Sequence, residues 1–149
     1  AHPLINPVTL LATDYLNHFN EVIMIIGMLP DMPEMLTDVQ DWRLKSYPQH
    51  FLDSGLDYRE LAAEAYDHAP AATKAALEAT VVQLRSVIEL AIKRLQASIA
   101  LNDMDEVRRT SMAAAATLTA LCGTANGIIA GSRATMAQSE IDRLLSATT

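Results

Sequence analysis

Apolar residues recur at three- and four-residue steps along most of this chain, the spacing that lines one face of an α-helix. Val8, Leu11, Tyr15, Phe19, Val22, Ile26 and Leu29 form the first stripe. Asn6-Pro7 supplies a cap and a first-turn proline, and Pro30 and Pro33 end the run, so a helix over about 7–29 is predicted. Short helices follow between 33 and 68. One carries Met35, Val39 and Trp42. A second starts at Ser46-Tyr47-Pro48 and stops at Gly55. A third is opened by Asp57 with Glu60 and ends at His68, before Pro70.

The second half reads as two long helices. Leu77, Val81, Leu84, Ile88, Ala91, Leu95 and Ser98 define one over about 71–101. Val107, Ser111, Ala114, Leu118, Leu121, Ala125 and Ile128 define another over about 103–131. Asn102-Asp103 breaks the rhythm between them, and Asp103 with Glu106 repeats the capping signal, so the pair should form an antiparallel hairpin. Ala130, Ala134, Ala137, Ile141 and Leu144 then step in a shifted phase, which predicts a kink or a separate last helix from about Ser132. The expected architecture is an all-α helical bundle, one domain over 1–149, built on that hairpin with the first helix alongside.

From Thr110 to Ser132 no residue is charged, and Gly123, Gly127 and Gly131 fall every fourth residue within that run. On a helix they share one face, where another backbone approaches closely, either within the chain or as the seam of a homodimer. The run is long enough to span a bilayer. Only Met112, Leu118, Leu121, Ile128 and Ile129 in it are large and apolar, so a buried helix and no membrane span are expected.

Composition sharpens this picture. Half of the residues are hydrophobic but only 5% are aromatic, a mix that favours helix over sheet. The net charge is −7 with no basic block, which argues against nucleic acid as a partner. The one cysteine, Cys122, cannot form an internal disulfide and reads as a buried inert thiol. Ala1-His2-Pro3 lacks the pattern of a signal peptide, so a cytoplasmic setting is expected.

Two polar faces carry candidate chemistry. Asp14, His18 and Glu21 project from one side of the first helix, with Asn17 beside them. Glu60, Glu64 and His68 align on the helix opened by Asp57, with Asp67 adjacent and Leu61 and Ala65 inward. Packed together, Asp14, His18, Glu21, Glu64 and His68 form a nitrogen and oxygen donor set for a divalent transition metal, with His50 from the intervening turn able to join. Ordinary solvated faces are the preferred reading, because no Glu-x-x-His and no His-Glu-x-x-His occurs. Phosphate-binding glycine loops and a serine nucleophile elbow are also missing. Met24, Met28, Met32 and Met35 are read as core fillers, and Trp42, Tyr47 and Phe51 as anchors of the irregular segment.

Three functions follow from these features. The preferred one is a non-catalytic, self-associating binding or assembly module. The alternatives are a metal-binding carboxylate/histidine bundle with redox or hydrolytic activity, and a carrier of a small-molecule ligand in an apolar pocket between the first helix and the hairpin.

Overall fold

The computed structural model describes residues 2–146, and every regular element among them is helical. The α-helices are α1 (Leu16–Met28), α2 (Leu36–Asp41), α3 (Tyr47–Asp53), α4 (Arg59–His68), α5 (Ala71–Ala100), α6 (Met104–Ile129) and α7 (Gln138–Ser146). Short 3-10 turns at Thr13–Tyr15 and Pro33–Met35 lead into α1 and α2. The fold is all-α, as the periodicity predicts.

The hairpin of α5 and α6 is the largest packing unit, and its turn is built by local chemistry. Asn102 takes a positive φ of 54° just past the end of α5. Its N–H donates to the Ile99 carbonyl at 3.0 Å, and the Asp103 N–H donates to the Ser98 carbonyl at 2.9 Å. That pair of bonds is a Schellman cap, in which orphan carbonyls at a helix end are satisfied by a left-handed residue. Asp103 then caps α6, its side chain accepting from the Glu106 N–H at 3.2 Å. Two residues thus end one helix and cap the start of the next.

Burial follows the stripes. Leu84, Ile88 and Leu95 from α5, Val107, Leu118, Leu121 and Ala125 from α6, and Phe19, Val22 and Ile26 from α1 are buried in one cluster with Val39, Tyr47 and Phe51. α1 packs chiefly on α6, α4 on α3, and α2 on both α1 and α5. α6 is long and apolar enough to cross a membrane by length and composition, and half of its most apolar window is buried in the fold.

The structure corrects the sequence reading at both ends. Asn6 does not start a helix. Its side chain accepts from the Val8 and Thr9 N–H groups in a local turn. Leu10 has a φ of 62°, which no helix accommodates, and the chain runs extended through Ala12. Helical structure therefore begins only with the 3-10 turn at Thr13, and α1 at Leu16. At the other end α6 stops at Ile129, and α7 is a separate helix starting at Gln138 rather than near Ser132.

The glycines explain that stop. Gly131 has a φ of +118°, its N–H donates to the Ile128 carbonyl, and the Ser132 N–H donates to the Gly127 carbonyl. This is a second Schellman cap, with glycine where a side chain would be strained. Close packing within the chain is not the use of this stripe. A Cβ at Gly123 meets nothing within 4 Å, and one at Gly127 meets only the Ser132 Cβ at 3.8 Å.

Candidate functional site

The chemically richest region forms around the extended strap of residues 42–46, which crosses α1 between α2 and α3. α1 and the turn before it fasten the strap at three points. Tyr15 donates its hydroxyl to the Lys45 carbonyl at 2.8 Å. The Lys45 N–H donates to His18 Nε2 at 2.9 Å. Trp42 donates its indole N–H to the His18 carbonyl at 3.2 Å and stacks on the His18 ring, with centroids 4.6 Å apart. Tyr15 and His18 lie three residues apart on one helical face, so a single strap residue, Lys45, is held through both its N–H and its carbonyl.

His18 is only 7% exposed. Because Nε2 accepts a hydrogen bond, the proton of the neutral ring is on Nδ1. Burial holds the imidazole's pKa down at about 4, with smaller contributions from the charges of His50 and Lys45. His18 is thus a neutral structural acceptor at ordinary pH. A metal could use Nε2 only by displacing the strap.

Of the other predicted ligands, Glu21 and His50 line one recess with His18 and Asp14 meets His50, whereas Glu64 and His68 are exposed on α4. His50 Nε2 lies 2.9 Å from Asp14 Oδ2, a pair formed between α3 and the turn before α1. Asp14 also accepts from Asn17 at 3.1 Å. Glu21 is exposed. Glu60, Glu64, Asp67 and His68 are exposed along α4, which buries Ala62 while Leu61 remains 48% exposed. The five residues Asp14, His18, Glu21, Glu64 and His68 therefore do not form one donor set. Among the described residues no group of three or more His, Cys, Asp or Glu side chains is placed to hold a metal ion. The physical reason is the neighbour that α4 chose: it lies on α3, with its acidic face toward solvent.

An open recess of about 210 Å³ is lined by Asn17, His18, Glu21, Lys45, His50 and Asp53, among others. Its lysine is already engaged, with Lys45 Nζ 3.1 Å from Asp53 Oδ2, and the Lys45 partnership holds the Asp53 carboxyl below its ordinary range. On the other side of the strap lies a larger and more apolar cleft of about 340 Å³. Its walls are Tyr15, Leu44, Tyr47, Tyr66, Leu77 and Val81, with Glu78, Ser46 and Lys45 as its polar members.

The cleft's aromatic wall is held by ring stacking and hydrogen bonds. Tyr47 and Tyr66 stack with centroids 4.9 Å apart, and Tyr15 meets Tyr47 edge-on at 5.2 Å. Each hydroxyl is tied down: Tyr15 to the Lys45 carbonyl, Tyr47 accepting from the Ala12 N–H at 2.7 Å, and Tyr66 donating to Glu78 Oε1 at 2.8 Å. Burial raises the pKa of all three phenols, so they remain protonated. Sequence reasoning recognised Tyr47 as an anchor but missed Tyr66 and Glu78. Tyr66 and Glu78 sit on different helices across Pro70, and only the turn there brings them together.

Two further readings change or stand. Met24, Met28 and Met32 are not core fillers: Met24 is 63% exposed, because Phe19, Val22 and Ile26 already fill the inner face of α1. Cys122 is buried, and burial pushes its thiol up to about 11, as expected of an unreactive cysteine. Comparison with known protein families, with curated proteins and with solved structures returns no match.

Proposed function

We propose that this protein is a binding module that holds a small, largely apolar molecule in the cleft between the strap, α4 and α5. The observation that carries this reading is the cleft itself. It is mostly apolar, it is rimmed by a few polar groups, and its volume falls in the range of small-molecule pockets. The hydrogen-bonded tyrosines make it pre-organised, so little ordering cost is left for the ligand to meet. Titration with octanol, followed by amide chemical shifts, tests it. Shifts should concentrate at residues 44–47, at Tyr66 and at 77–82, and Val81→Trp, which fills the cleft, should abolish them. Shifts scattered over the surface, or undiminished in the variant, overturn the reading.

A second reading, self-association, is favoured by one feature of α6. Ala116, Thr119 and Gly123 form an exposed, uncharged strip, and the space above Gly123 is open. A helix from a second copy fits such a surface closely. Sedimentation should give the mass of a dimer for the native chain and of a monomer for Gly123→Arg; a monomeric native chain removes the reading.

A further inference from the structure

The polar edge of the cleft narrows the ligand class. Glu78 is the one carboxylate among the cleft's lining residues, and Tyr66 fixes it in place by donating to Oε1 at 2.8 Å. The Tyr66 phenol stays a donor, because burial and the adjacent carboxylate both raise its pKa. Glu78 is exposed, so its carboxylate is accessible to a ligand at the rim of the cleft. Among the described residues no cation lies within ion-pair distance of Glu78. Lys74, one turn earlier on α5, places its ammonium over the Tyr66 ring, 5.0 Å from the centroid. Lys45, the only cationic lining residue, has its ammonium on Asp53. The cleft thus presents an oriented negative charge beside an apolar chamber, in a chain of net charge −7.

We propose that the molecule bound here is an amphipathic primary amine, its ammonium on Glu78 and its apolar body against Leu77, Val81 and the tyrosine wall. This rests on the cleft being a binding site, and adds the charge of the ligand to it. The volume of about 340 Å³ lies at the lower end of the range of small-molecule pockets, which suits a chain of medium length. An ammonium gains a charge-assisted hydrogen bond from the carboxylate. An alcohol gains a weaker bond, and a fatty carboxylate is repelled. Binding here is reversible association, with no covalent step.

Calorimetric titration with octylamine, octanol and octanoate against the native chain, Glu78→Gln and Tyr66→Phe separates the two levels of the argument. Octylamine should bind at least tenfold more tightly than octanol, and octanoate more weakly than either. Glu78→Gln should bring octylamine close to the affinity of octanol, with a much smaller change in octanol itself. Tyr66→Phe, which frees the carboxylate to move, should retain part of the preference. If octylamine and octanol bind equally, or if Glu78→Gln leaves the preference intact, the amine assignment fails and the apolar cleft stands. If none of the three binds, the cleft itself is not a site and the amine assignment falls with it.

Discussion

His18 shows how one side chain can change meaning between a helical wheel and a fold. On the wheel it belongs with Asp14 and Glu21, a trio with the spacing of a ligand set. In the fold its Nε2 accepts the Lys45 N–H and its ring lies against Trp42. Because its pKa is depressed to about 4, the unfolded chain binds more protons than the native one between pH 4 and the ordinary histidine value. Its stabilising contribution is therefore complete above about pH 6.5 and is lost as the pH falls toward 4. Urea unfolding at pH 7 and pH 4.5 should show a loss of about 2 kcal/mol attributable to this residue. His18→Gln, which cannot acquire the charge, should have the flatter profile and the lower stability at pH 7. Equal slopes in the two proteins would refute the assignment. In nitrogen-detected NMR at pH 7, the same ring should appear as the Nδ1-protonated tautomer.

Among the elements, the two long helices were the most legible. Their stripes, the Asn102-Asp103 break and the Asp103/Glu106 cap follow from helix geometry and from capping, which act over a few residues. Both helices end in the same hydrogen-bonded cap, one with Asn102 and one with Gly131 in the left-handed position. The matched substitutions have opposite expected signs. Gly131→Ala puts a Cβ on a backbone of φ +118° and should cost about 1–2 kcal/mol in denaturant unfolding. Asn102→Gly relieves a positive φ and should be neutral or stabilising by a few tenths of a kcal/mol. The glycine spacing was visible from the start, but its two meanings were not separable there: Gly131 ends α6, while Gly123 faces open space. The capping-box reading of Asp57 with Glu60 also failed, since α4 begins at Arg59 without a side-chain cap. The same two residue types act as a cap before α6, so the pattern alone does not decide.

At the scale of the whole molecule, the segment before α1 is tied to the end of α6 by a buried bond. Thr9 donates its hydroxyl to the Ile129 carbonyl at 2.7 Å, and the Leu11 N–H donates to the same Thr9 oxygen at 3.3 Å. Thr9→Val keeps the shape and leaves a buried carbonyl and a buried N–H without partners, at a cost of about 1–3 kcal/mol. Hydrogen exchange should then quicken at residues 6–11 while the α5–α6 hairpin keeps its protection; unchanged exchange at 6–11 would show that the bond does not hold the segment. The all-α class, the hairpin and most of the core were determined by the sequence alone, because a stripe of apolar side chains is a local consequence of helical pitch. The cleft, the strap and the separation of the two acidic faces were decided by tertiary structure. Tyr15, Tyr47, Tyr66 and Glu78 meet only after α4 has settled on α3 and the aperiodic strap has crossed α1, and which surfaces pair is set by packing over the whole chain.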